Sequence, residues 1–277
     1  MAKDREFSVT FWGVRGSIAC PGPDTVRYGG NTSCLEVMCG DVRMIFDGGT
    51  GLRKLGTKLV GLGPLDTDIF FTHSHFDHVC GLPFFVPFFI PGNKIRLWAG
   101  HLLPENTLQH VLIELMIAPL FPVPPEIFQA DVTYNNFHSG EILTPHDGVK
   151  IRTIPLNHPN RATGYRIDFD GKSICYLTDT EHTEDGLDRN ILGLIAGADL
   201  VIYDATYTDQ EYPKFKGFGH STWQEGLRLV ETAGAETLVI FHHDPSHDDD
   251  FMDEIARQAE TARSGAVVAR EGMTLRP

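Results

Sequence analysis

The sequence predicts a layered α/β fold in which helices cover the faces of β-sheets. Two observations carry this. Short apolar runs recur along the chain and stop abruptly at polar residues, and stretches of helical length stand between them. The 277 residues contain no internal repeat, low-complexity tract or long linker, so one domain over 1–277 is expected. Taken in order, strands are expected at 7–13 (FSVTFWG), 32–39 (TSCLEVMC) and 42–49 (VRMIFDGG), the last two joined by a Gly40-Asp41 turn. A helix over 51–60 precedes a strand at 67–71 that runs into THSHFDH. Residues 83–135 stand apart, with eight prolines and many phenylalanines. They are expected as an apolar insertion carrying a helix at 106–116, serving as a lid, a packed elaboration or an interface. Strands follow at 149–158, 164–179 (around Gly171-Lys172), 198–204 and 236–243, with helices at 187–196, 221–233 and 249–264. Ser221 followed by Gln224 has capping-box spacing at the start of the 221–233 helix.

Composition narrows the functional classes. With 42% hydrophobic and 22% charged residues, the chain is neither disordered nor a disulfide scaffold. Twenty-three Lys and Arg against 37 Asp and Glu give a net charge of −14. That balance argues against a general nucleic-acid binder or a partner of anionic membranes, although a local basic patch could still hold a short oligonucleotide. Five scattered cysteines, an odd number without CxxC spacing, suit a reducing compartment. MAKDREFSVTF has no apolar leader core, and the nine-residue LPFFVPFFI run is too short and too broken by Pro83 and Pro87 to span a bilayer. A cytoplasmic location follows as the expectation.

Histidine and aspartate repeatedly stand where an apolar strand ends. DIFFT gives way to His73, His75, Asp77 and His78; IRTIPLN to His158; ICYLT to Asp179; LVIY to Asp204; LVIF to His242 and His243. Strand ends meet along one sheet edge in such folds, so these groups can converge. In an extended segment, residues two apart face the same side, which lets His73 and His75 share one ion while Asp77 and His78 face a second. Imidazoles and carboxylates without thiolate suit zinc, and also manganese or iron. His182 and His247 read as solvated loop histidines, and Cys80 as helix packing. Arg15, Arg27 and Asn31 stand among glycines, either as an anion-holding loop or as a structural Gly/Pro edge.

HSHFDH, His158, Asp179 in YLTDT and a strand-end His242, in that order, resemble the metallo-β-lactamase superfamily of dinuclear hydrolases. The resemblance runs over most of the chain, from FDGGTGL (46–52) to FHHDP (241–245). It implies a four-layer αβ/βα sandwich of two packed mixed sheets flanked by helices. By the same match, His73, His75 and His158 hold one metal, Asp77, His78 and His242 the other, with His242 favoured over the adjacent His243 as the last ligand, and Asp179 bridges them; Asp47 orients a ligand without binding metal. Two divalent ions are implied, zinc first, with Mn2+ or Fe2+ also compatible.

Asp204-Ala-Thr206 and Gly219-His220-Ser-Thr222 look like the acidic box and the HST box of the phosphodiesterase branch, with Asp standing for the usual Glu. That branch includes tRNA 3′-end endonucleases and cyclic phosphodiesterases. The resemblance implies His220 as donor to the scissile phosphate and Asp204 as its partner. It further implies a nucleophilic hydroxide shared by the two metals and oriented by Asp77. Catalytic roles are thus expected for Asp77, His220 and Asp204, and metal binding for His73, His75, Asp77, His78, His158, Asp179 and His242. The acidic charge and a basic-poor 83–135 segment (Lys94, Arg96) point to a cyclic nucleotide or similar small phosphodiester. A tRNase Z-like ribonuclease ranks next, then a lactone or thioester hydrolase, and last a redox or non-catalytic member. Homodimers are common in this branch and are expected here.

Overall fold

The computed structural model describes residues 5–277; the start of the MAKDREFSVTF segment lies outside the described residues. The first sheet is built from β1 (Phe7–Gly13), β2 (Cys34–Cys39), β3 (Val42–Phe46), β4 (Asp66–Phe71), β5 (Lys94–Ala99) and β6 (Asp131–Asn136). The second comprises β7 (Ile142–Leu143), β8 (Val149–Leu156), β9 (Ala162–Phe169), β10 (Lys172–Leu177), β11 (Leu200–Asp204), β12 (Thr237–Phe241) and β13 (Val267–Val268). The chain then returns to the first sheet as β14 (Thr274–Leu275), so the orders are β14-β1-β2-β3-β4-β5-β6 and β13-β12-β11-β10-β9-β8-β7. Both sheets are mixed. Antiparallel hairpins at β1–β3 and β7–β10 give way to parallel pairs at β3–β6 and β10–β13.

Period-2 alternation decides which faces meet. Phe7, Val9, Phe11, Phe46 and Phe70 from one sheet and Ile151, Tyr165, Ile167, Tyr176, Ile202 and Phe241 from the other form a single buried cluster between the sheets. The outer faces are covered by helices. α1 (Gly51–Leu59) and α3 (Leu108–Leu115) lie on the first sheet, while α4 (Arg189–Ile195), α6 (Trp223–Ala233) and α7 (Asp249–Ala262) lie on the second. The short α2 (Phe76–Val79) and α5 (Tyr212–Phe215) sit at the sheet edge. The result is the expected four-layer sandwich. Among the described residues no helix is long and apolar enough to cross a membrane.

Three expectations need correction. The segment 83–135 is not an insertion throughout, because β5 and β6 extend the first sheet in parallel register, Leu97 opposite Tyr134. Its Phe85 and Phe88 are fully buried, and Phe85 would meet a methyl on Gly56 of α1 at 2.7 Å. The α6 cap lies one residue later than read: Thr222 Oγ1 accepts from the Glu225 N–H at 3.0 Å, while Ser221 bonds the Tyr203 hydroxyl at 2.9 Å. Finally, of the two readings open for Arg15, Arg27 and Asn31, the structural one holds and the anion-holding one does not. Arg15 is wholly buried on the carbonyls of Gly29, Asp244 and His247, Arg27 pairs with Asp249, Asp250 and Asp253, and Asn31 holds Glu271.

Candidate metal centre

The parallel strands end along one edge, and the polar residues that follow them turn inward. Asp47, Asp179 and His242, directly or shortly after β3, β10 and β12, all adopt left-handed backbone angles (φ +61°, +60° and +63°). Such angles are uncommon for non-glycine residues and break the strand alternation, turning a terminal side chain toward its neighbours. After β4, His73 continues outward, His75 precedes the first turn of α2, and Asp77 and His78 lie within it. His158 follows β8.

The side chains form two adjoining groups. His73, His75 and His158 each offer a ligand atom within 4.8 Å of the others, as do Asp77, His78 and His242. Asp179 lies between them. One of its oxygens is 3.6 Å from His73 Nε2 and 3.7 Å from His158 Nε2; the other is 3.2 Å from His78 Nε2 and 3.3 Å from His242 Nε2. Asp77 Oδ2 approaches His78 Nε2 at 3.3 Å and His242 Nε2 at 3.4 Å, and is held by the Ser17 N–H at 2.8 Å. The Nε2 atoms of His73, His78 and His242 are buried without a hydrogen-bond partner. Buried polar atoms are rarely left so, and several lone pairs aimed at shared points beside carboxylates fit divalent cations.

The opposite ring nitrogens are anchored, which fixes each tautomer. His78 Nδ1 lies 2.9 Å from Asp47 Oδ2, and His73 Nδ1 lies 3.1 Å from Thr72 Oγ1, which donates to the same carboxylate. The Tyr176 hydroxyl and the Thr72 N–H also donate to Asp47. On the other side, His242 Nδ1 sits 3.0 Å from Thr206 Oγ1, which donates to Asp204, and His220 Nδ1 lies 3.1 Å from Asp204 Oδ2. Two buried carboxylates therefore orient four imidazoles. His158 Nδ1 donates to the Gly219 carbonyl at 2.8 Å, and His75 Nε2 faces Asn160 Oδ1 at 3.1 Å. Backbone fit is close: a methyl on Gly16 would stand 2.3 Å from the His242 ring.

Electrostatics separates the groups. Burial pushes His73 well below the ordinary histidine value, with the neighbouring imidazoles adding to the effect. Burial would also depress His220, but Asp204 beside it outweighs this and lifts it to about 9. Asp77, although buried, is held well below the carboxylate range by His78 and His242.

The structure thus brings together His73, His75, Asp77, His78, His158, Asp179, Asp204, His220 and His242. It separates the two histidines that follow β12, since His243 turns away to bond the Ala269 carbonyl at 2.8 Å. His247 is not solvated but buried, bonded to Glu211 and stacked on Phe251; His182 is half-buried against Tyr212. Sequence reasoning missed Thr72, Thr206, Asn160 and Tyr176. Thr206 lies inside a box already noted, so its position was marked though its role was not.

A family profile described as "Beta-lactamase superfamily domain" matches residues 43–243. A ribonuclease Z of Haloarcula marismortui is 26% identical over 97% of this chain and 96% of its own. The crystal structure of human tRNase Z, short form, aligns with a TM-score of 0.67 at 20% identity, covering 97% of this chain and 98% of that one. A diphosphatase from the PhnP family aligns at 0.73 and 20% identity, covering 98% of both. These solved structures match the fold described above.

Proposed function

Because the chain belongs to the beta-lactamase superfamily, whose profile spans most of it, we propose that it is a metal-dependent phosphodiester hydrolase. One ion would be held by His73, His75 and His158, the other by Asp77, His78 and His242, with Asp179 shared; zinc suits this donor set first. When bound, such ions activate water near neutral pH and neutralise phosphoryl oxygens. The observation that carries phosphodiester chemistry is the His220–Asp204 pair at 3.1 Å, which stands 3.7 Å from Asp179 through the same ring nitrogen. With Nδ1 committed to Asp204, His220 Nε2 is the ring's remaining donor. Asp204 beside it favours the protonated ring, which suits His220 to donate to a phosphate oxygen or the leaving alkoxide. Asp77, held ionised and pinned by Ser17, orients the attacking water.

A small diester, such as a cyclic nucleotide, is the substrate class favoured by charge. The net charge is −14, and Arg96 of the 83–135 segment is tied to Asp66 and Asp68. The near full-length similarity to proteins named ribonuclease Z supports an RNA substrate as the second reading. The test is turnover of bis(p-nitrophenyl) phosphate with metal content measured, for the wild type and His220→Ala. The variant is expected to keep its metals and lose about 10²–10⁴-fold in turnover; retained turnover would remove His220 from the reaction. Metal-loaded wild type that hydrolyses lactones or thioesters but no phosphodiester would overturn the proposal. Binding to RNA that weakens steeply with salt would select the second reading.

A further inference from the structure

One residue outside the groups already placed ties together three of the segments that carry them. Glu181, two residues past Asp179, accepts the N–H of Gly217 at 2.6 Å, the N–H of Gly219 at 2.9 Å and the Tyr212 hydroxyl at 3.2 Å. Its backbone is tied the other way. The Glu181 N–H donates to the Asn157 carbonyl at 2.8 Å, and Asn157 Nδ2 donates to the carbonyls of Glu181 and His182 at 3.2 and 3.3 Å. Asn157 immediately precedes His158, and Gly219 immediately precedes His220.

The Gly219 junction is tight. Its carbonyl accepts from His158 Nδ1 at 2.8 Å, its φ is +87°, and a Cβ there would lie 2.4 Å from that nitrogen. Little apolar burial seats the loop that carries it. No residue of α5 is buried, Phe218 is 61% exposed, and the stacking partners are Tyr212 on His182 and Phe215 on Tyr207. Both of these hydrogen bonds join a backbone amide of the loop, Gly217 or Gly219, to the same Glu181 carboxylate. With the Tyr212 hydroxyl bond they tie this loop to the strand end that carries Asp179.

We propose that Glu181 is a positioning residue of the site: its carboxylate seats the Gly217–Gly219 backbone, and so fixes both the His158 ring and the placement of His220 against Asp204. This rests on the metal-hydrolase reading above.

The experiment compares wild type, Glu181→Gln and Glu181→Ala in two assays. Zinc affinity is measured by competition with a chromophoric chelator, and kcat and KM are measured on bis(p-nitrophenyl) phosphate. Loss of an outer partner of a ligand typically costs 10–100-fold in metal affinity or activity. Glu181→Ala is therefore expected to bind one of its zinc ions about 10–100-fold more weakly, with kcat reduced on the same scale and KM within about twofold. Glu181→Gln keeps one oxygen acceptor and should fall between, which also serves if the alanine variant fails to fold. Wild-type zinc affinity in both variants overturns the proposal. So does a loss of both ions together in step with a lowered melting temperature, since that marks a merely structural role. If the wild type turns over no phosphodiester, the functional reading fails, while the zinc assay still decides the role of Glu181.

Discussion

Replacing Asp47 by Asn should weaken metal binding at the His78 group without unfolding the protein. Asp47 is fully buried at φ +61°, a backbone angle that Asn tolerates better than most residues. Oδ1 accepts from the Thr72 N–H at 2.8 Å, and an amide oxygen there can do the same. The new NH2 then replaces Oδ2, which faces Thr72 Oγ1, the Tyr176 hydroxyl and His78 Nδ1 at 2.9, 2.8 and 2.9 Å. Hydroxyls can reverse from donor to acceptor. His78 can do so only by moving its proton to Nε2, the atom aimed at the metal group. The conflict falls on one tautomer, and losses of this kind run to 10–100-fold in metal affinity, about 1.4–2.7 kcal/mol. Zinc titration against a competing chelator reads it, with melting of the metal-free protein as control. Unchanged zinc affinity in Asp47→Asn would refute the argument that Asp47 sets the ring. Asp47→Ala is the less informative variant, because several buried donors would be left unpaired at about 1–3 kcal/mol each.

Two further predictions follow from single positions. Gly16→Ala should lower zinc affinity and turnover together, because its methyl would lie 2.3 Å from the His242 ring; wild-type zinc binding would show that the loop relaxes instead. Far from the site, Asp68 is buried and burial would raise its pKa, but Arg96, His146 and Trp98 hold it below the ordinary value of 3.8. A depressed carboxylate adds stability that is present above the unfolded value, about 3.9, and is lost as pH falls through the folded one. Asp68→Asn should therefore be less stable than wild type at neutral pH, and the gap should narrow below about pH 4; a gap constant across acid urea titrations would contradict this.

The site residues legible in sequence were those whose chemistry is rare at a strand end. Three histidines and an aspartate in six residues after DIFFT leave few structural explanations, and His158, Asp179 and His242 stand in the same position relative to their own strands. The residues that orient them were hidden for a physical reason. Thr72, Asn160 and Tyr176 are ordinary side chains whose partners lie 1 to 129 positions away, so no local pattern distinguishes them. β5 and β6 were hidden among prolines. KIRLWA and DVTYNN are weakly alternating, and sheet membership came from pairing with strands outside the segment.

By itself, the sequence determined the elements and the donor set. Period-2 apolar runs, cap residues and the histidines and aspartates that close the strands are properties of neighbours a few positions apart. Only the tertiary structure decided between His242 and His243, since a left-handed turn at His242 aims one ring at Asp77 and Asp179 and sends the next to Ala269. It also assigned Arg15 to buried carbonyls rather than to an anion, and made Asp47 and Asp204 the holders of four imidazoles. Those outcomes depend on which polar groups become each other's nearest partners once water is excluded between the packed sheets. That is a property of the assembled layers and of no single stretch of chain.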